Sequence, residues 1–213
     1  MTGQVMTGQV MTGQGTAAAA HGGFAALGLI IGGLACLFLV LLGLWALMTY
    51  NRLVRQRNQV QASWAQIDVQ LKRRYDLIPN LVETVRGYAD HERSTLDAVV
   101  QARNSAISAA NAAPATRAEA ENALTQTLGR LFALAEAYPN LKASENFLGL
   151  QSELAGTEDK IAYARQFYNS AVQTYNTSIQ SVPTNIVAGM GGFRLEMLFE
   201  AAGAERGPVQ VHF

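Results

Sequence analysis

The sequence predicts an all-α protein: an N-terminal transmembrane helix followed by an antiparallel four-helix bundle with long helices. Three observations carry this expectation. An uncharged apolar run from Phe24 to Met48 is long enough to cross a hydrocarbon core of roughly 30 Å as a helix. From Leu53 onward, apolar residues recur at steps of three and four, with no strand-like alternation. Breaks at "NAAPA" (111–115) and "YPNL" (138–141) cut the remaining chain into helix-sized segments, because proline and the residue before it resist helix continuation.

Residues 1–15 read MTGQVMTGQVMTGQG, a pentapeptide written three times, and TAAAAHGG follows. Such a segment buries too little to offset the entropy of ordering, so residues 1–22 are expected to be disordered. Residues 23–49 form the expected transmembrane helix. A cleaved signal peptide is disfavoured: no positive n-region precedes the apolar run, which is too long for an h-region. Gly28, Gly32 and Gly33 put small residues at helical spacing, which would let two spans approach closely. Trp45 and Tyr50 stand where an aromatic belt would, and Arg52, Arg55 and Arg57 follow as membrane-surface contacts. Arg52 is the first charged residue of the chain. The positive-inside rule therefore places the short N-terminus outside and the large C-terminal part in the cytoplasm.

Residues 50–183 are read as the bundle. The first stripe is Leu53, Val60, Trp64, Ile67 and Leu71, with Arg57 and Arg74 on the same face. The second runs from Leu81 and Val85 to Val99 and Ala106, with Glu92 in register. Pro114 suits the opening turn of the third, whose inward face is predicted as Ala120, Leu124, Thr127, Leu131, Leu134 and Tyr138. The fourth runs from Phe147 through Leu154, Ile161, Tyr168 and Tyr175 to Ser178, flanked by Glu158 and Arg165. Between the first two, "RRYDLIPNL" allows two packings. Either Asp76 caps a new helix with Pro79 and Asn80 in its first turn, making a corner beside Arg73, or one helix runs through with a proline kink. The corner is preferred, since four comparable helices close a core better than one long rod. Residues 184–213 are expected to form an irregular tail whose aromatics, Phe193, Phe199 and Phe213, dock on the bundle or on a neighbouring subunit.

Three stretches, "LKRRYDLIPNLVETVRGYADHE" (71–92), "YPNLKASENFLGLQSELAGTEDKIAYARQFYNSAVQTYN" (138–176) and the tail elements "GGF" and "FEAA", closely resemble the LemA family. That resemblance implies a bacterial single-pass membrane protein with a short extracytoplasmic N-terminus and a four-helix soluble part.

The residues offer little chemistry. Formal net charge is zero, and no basic face interleaved with aromatics stands out, so nucleic acid is not an expected partner. The single cysteine, Cys36, lies in the apolar run; His91 has no second histidine one turn on; no nucleophile with a base and no phosphate-binding glycine loop is present. No catalytic, metal or cofactor site is expected. Arg57, Arg74, Glu92, Glu158 and Arg165 are read as a structural polar seam, in which arginines pair with carboxylates across helices. Tyr168–Asn169 and Tyr175–Asn176 repeat one heptad apart; the rings are read as core and the amides as cross-helix hydrogen bonders. The expected function is a non-enzymatic scaffold anchored in the inner membrane. Its partners would be the lipid bilayer, further copies of itself and an unidentified protein. The rival is a sensor or adaptor bundle that binds a small anion at Arg73 and Arg74, or a partner helix, and couples to a membrane protease or signalling enzyme.

Overall fold

The structure, a computed structural model, describes residues 15–89 and 91–199, with side chains from residue 29 onward. Among the described residues it is helical with no strand: α1 Gly15–Arg86, α2 Arg93–Ser108, α3 Pro114–Ala135, α4 Pro139–Lys142, α5 Glu145–Gln180 and α6 Thr184–Met190, with a 3-10 turn at Ala109–Asn111. The chain divides into two compact units, Met1–Thr49 and Tyr50–Phe213.

In the first unit, α1 exposes its apolar side chains on every side: Leu29, Leu34, Phe38, Leu42 and Leu47 all lie open. A helix that is apolar all round needs an apolar surround, and this one is long and apolar enough to cross a membrane. One expectation is corrected here. Residues 15–22, read as disordered, belong to the first turns of α1. The alanine run 17–20 has the highest intrinsic helix propensity of any residue type, and it extends the helix of the span backward. The repeat over residues 1–14 lies outside the described residues.

The second unit holds a helical bundle whose core takes Leu53, Val60, Ile67, Leu71 and Ile78 from α1, Leu96 and Val99 from α2, Leu124 and Leu131 from α3, and Phe147, Leu154, Ile161, Tyr168 and Tyr175 from α5. The corner expected at Arg73, Asp76, Pro79 and Asn80 is not there. α1 passes through all four residues as continuous helix and ends only at Arg86, and each of the four is exposed. Asp76 caps nothing; it pairs with Lys72 one turn back at 3.2 Å.

What lets a helix continue through Pro79 is visible four residues earlier. Proline has no N–H to give the carbonyl of Tyr75, and that orphaned oxygen accepts a hydrogen bond from Arg103 Nε of α2 at 2.8 Å. α1 gives way to α2 after Arg86, through residues 87–89 and 91–92. There the Gly87 and Ala89 N–H groups close onto Glu83 and Val85, and the Glu92 carbonyl starts α2 by accepting from Thr95 and Leu96.

The third face is also shifted. α3 buries Arg117, Ala118, Glu121, Leu124, Leu128, Leu131 and Ala135, whereas the expected Ala120, Thr127 and Leu134 are only half-buried. The tail read as irregular contains α6, after which Gly192, at φ +67°, turns the chain back so that Phe193 packs edge-on against Tyr50. A Cβ on Gly191 would sit 2.6 Å from the Phe193 ring, so this turn needs its glycines. Phe213 and Glu200–Ala202 of "FEAA" lie outside the described residues.

Candidate functional site

Arg74 is fully buried on the core face of α1. Its Nη2 donates to Glu121 of α3, itself fully buried, and its Nη1 donates to Glu158 of α5 at 2.5 Å and to Thr125 at 3.1 Å. The Tyr75 hydroxyl donates to the other Glu121 oxygen. Three helices thus converge on one guanidinium. Burial, then the Glu121 carboxylate beside it, pushes the Tyr75 phenol well above the ordinary tyrosine range, so that phenol remains a donor.

A second charge pair lies nearby on the same elements. Arg117 of α3 is buried, meets Asp68 at 2.6 Å and stacks over Trp64, its guanidinium carbon 5.1 Å from the ring centroid. Arg165 of α5 was expected in a carboxylate pair, but it lies over the Phe199 ring at 4.8 Å, with Nε and Nη2 buried and unpartnered among the described residues. Burial, reinforced by repulsion from Arg74, lowers its pKa below the usual arginine value. Trp64 contacts Tyr168 at 5.1 Å and Phe199 at 5.6 Å between centroids. The result is a run of contacts in which the Arg117 guanidinium lies over the Trp64 indole, the indole meets the Phe199 ring edge-on, and the Arg165 guanidinium lies over that ring.

The remaining seam residues fare differently. Arg57 is exposed and takes no place in the seam. Glu92 is half-buried at the start of α2 and accepts from the Tyr138 hydroxyl at 3.3 Å instead of from an arginine. Arg73 and Arg74, adjacent in sequence, point apart: Arg73 is half-exposed and 3.7 Å from Glu153, while Arg74 is sealed by carboxylates of its own chain. A shared anion site at these two residues is therefore not formed. Among the described residues no cluster of three or more metal-ligating side chains occurs, and Cys36 is free and exposed. Trp45, Tyr50, Arg52 and Arg55 are exposed.

Sequence reasoning missed Glu121, Arg117, Asp68 and Thr125. The signal was present, since Arg117, Glu121, Leu124, Leu128 and Leu131 follow an unbroken step of four and three. The buried face of α3 includes two charged side chains, Arg117 and Glu121, and is rotated from the predicted one. Of the two tyrosine–asparagine pairs, the rings of Tyr168 and Tyr175 are buried in the core as expected, but the asparagines are not cross-helix hydrogen bonders. Asn176 Nδ2 donates to the Glu196 carbonyl at 2.8 Å and its Oδ1 accepts the Glu196 N–H at 3.0 Å; Asn169 does the same for Phe199 at 3.0 and 2.8 Å. The Tyr168 hydroxyl donates to the Met197 carbonyl at 2.8 Å. These side chains hold the tail along α5; they do not bridge two helices.

A helical bundle whose buried Arg74 and Arg117 pair with carboxylates of the same chain, together with an apolar helix compatible with a membrane anchor, defines the class: a helical protein of the membrane-associated kind. Residues 63–213 match the LemA family, and the chain belongs to it. It is similar to magnetosome protein MamQ 2 of Paramagnetospirillum magneticum, 27% identical over 187 residues covering 76% of this chain and 69% of the relative. It is also similar to protein LemA of Metamycoplasma hominis, 28% identical over 156 residues covering 73% and 71% of the two chains. Magnetosome protein MamQ of Magnetospirillum gryphiswaldense is 26% identical over 187 residues, covering 76% and 69%. None of these names states an enzymatic activity.

Proposed function

We propose that this protein is a non-enzymatic scaffold anchored in the bacterial inner membrane, with its N-terminus extracytoplasmic and its bundle in the cytoplasm. There it self-associates, recruits a protein partner and organises the bilayer around it. One observation carries the reading: the buried guanidinium of Arg74 is consumed by Glu121 and Glu158, so its charge fixes helix register instead of awaiting a substrate. The exposed Arg52, Arg55 and Arg57 add attraction to anionic headgroups, about 1 kcal/mol per basic residue near the surface.

Topology and assembly are tested together. Single cysteines placed in the N-terminal repeat and at Tyr163, in a Cys36→Ser background, are labelled in intact cells with a membrane-impermeant maleimide, and the same membranes are then crosslinked. Labelling of the N-terminal position alone, with a ladder of crosslinked species, is expected. Labelling of Tyr163→Cys reverses the orientation, and a lone monomer at native expression removes self-association.

A further inference from the structure

The tail is held by a device that reads main chain. Asn169 and Asn176 stand seven residues apart on α5, a rise of about 10.5 Å, while Glu196 and Phe199 stand three apart in an extended segment, a span of about 10 Å. The two repeats match. Each asparagine amide therefore closes a two-bond ring with one backbone N–H and C=O, in opposite chain directions, and Tyr168 adds a bond to the Met197 carbonyl. Specificity comes from one side chain, Phe199, which is fully buried, edge-on to Trp64 and under the Arg165 guanidinium. By contrast Leu195, Met197 and Leu198 remain exposed.

We propose that this clamp is a binding site for an extended peptide with an aromatic anchor, and that its intermolecular occupant is the same segment, residues 193–199, of a second copy. The sequence already shown to fit it is carried by every copy. The contacts of an exchanged tail are identical to those of the chain's own, so choice between them rests on effective concentration, which membrane anchoring raises. The positive-φ Gly192 next to the tail supplies a hinge that can open without disturbing α5. Exchange deepens the scaffold reading and rests on it, by naming the link between copies.

Two full-length-derived copies are mixed in detergent micelles. An affinity-tagged copy ending at Gly192 keeps the clamp and lacks the tail; an untagged full-length copy carrying N169A and N176A keeps the tail and lacks the clamp. The tagged copy is expected to retain the untagged one, with retention falling at least about fivefold when the tagged copy also carries N169A and N176A. A fluorescent peptide of residues 193–199 should bind the tagged copy saturably, weaken about tenfold with the asparagine pair removed, and weaken again when its phenylalanine at 199 is replaced by alanine. If the truncated copy loses its helical circular dichroism, full-length F199A serves as acceptor, since its own tail is weakened.

Absence of saturable peptide binding overturns the site. Peptide binding with retention indifferent to the asparagines overturns exchange between copies, yet leaves self-association through other surfaces standing. A wild-type protein that stays monomeric at all concentrations overturns both readings.

Discussion

Alanine at Arg74 strands the fully buried Glu121 carboxylate, and a buried charge that loses its partner costs about 3–5 kcal/mol. Chemical denaturation of the R74A variant should register that loss. The E158A variant should cost less than half as much, because the Glu158 side chain keeps 35% of its surface in water and Glu121 still holds the guanidinium. Tyr168 gives a pH readout at the same scale. Burial, then the Glu196 charge, pushes its hydroxyl up to about 12, above the ordinary value of 10.0. The folded state holds that proton more tightly, so the contribution is complete below pH 10 and disappears as pH rises through 12. Stability of the wild type should fall along that limb by up to about 1.4 kcal/mol per pH unit for this group, and Y168F should flatten it.

At the level of elements, the continuity of α1 depends on a residue of α2. If Arg103 serves to satisfy the carbonyl that Pro79 orphans, R103A costs about 1–3 kcal/mol, the penalty for an unmet buried acceptor. In a P79A background the restored N–H takes over the Tyr75 carbonyl, and the same substitution should cost less than half as much. A double-mutant cycle by urea unfolding measures the difference, and additive effects would refute the coupling. This element also shows why the corner was preferred from sequence. Proline is a helix breaker in isolation, and the donor that rescues its neighbour lies 28 residues away from the carbonyl it serves. α3 teaches the complementary lesson. Its helix was legible from spacing and from Pro114, but its inward face was rotated, since Arg117 and Glu121 look like surface residues until their partners are known.

At the scale of the whole molecule, the unit Tyr50–Phe213 contains its own core, and the apolar exposure is concentrated in the helix before it. Deleting residues 1–49 is expected to move the protein from the membrane pellet to the supernatant while a cooperative helical melt survives. Fractionation followed by thermal circular dichroism checks both. A deletion product that stays in the pellet, folded, would locate membrane affinity in the bundle and its arginines instead.

By itself the sequence determined the apolar span, the helical class and the family, because each is written in local pattern: uncharged run length, three-four spacing, and motifs in order. Which charges pair, where α1 ends and what holds the tail were decided only by tertiary structure. The physical reason is distance along the chain. Arg74 meets Glu121 and Glu158 across separations of 47 and 84 residues, and Asn169 meets Phe199 across 30. Periodicity tells a side chain which way to face, whereas its partner is chosen by what the other helices bring to the same point in space.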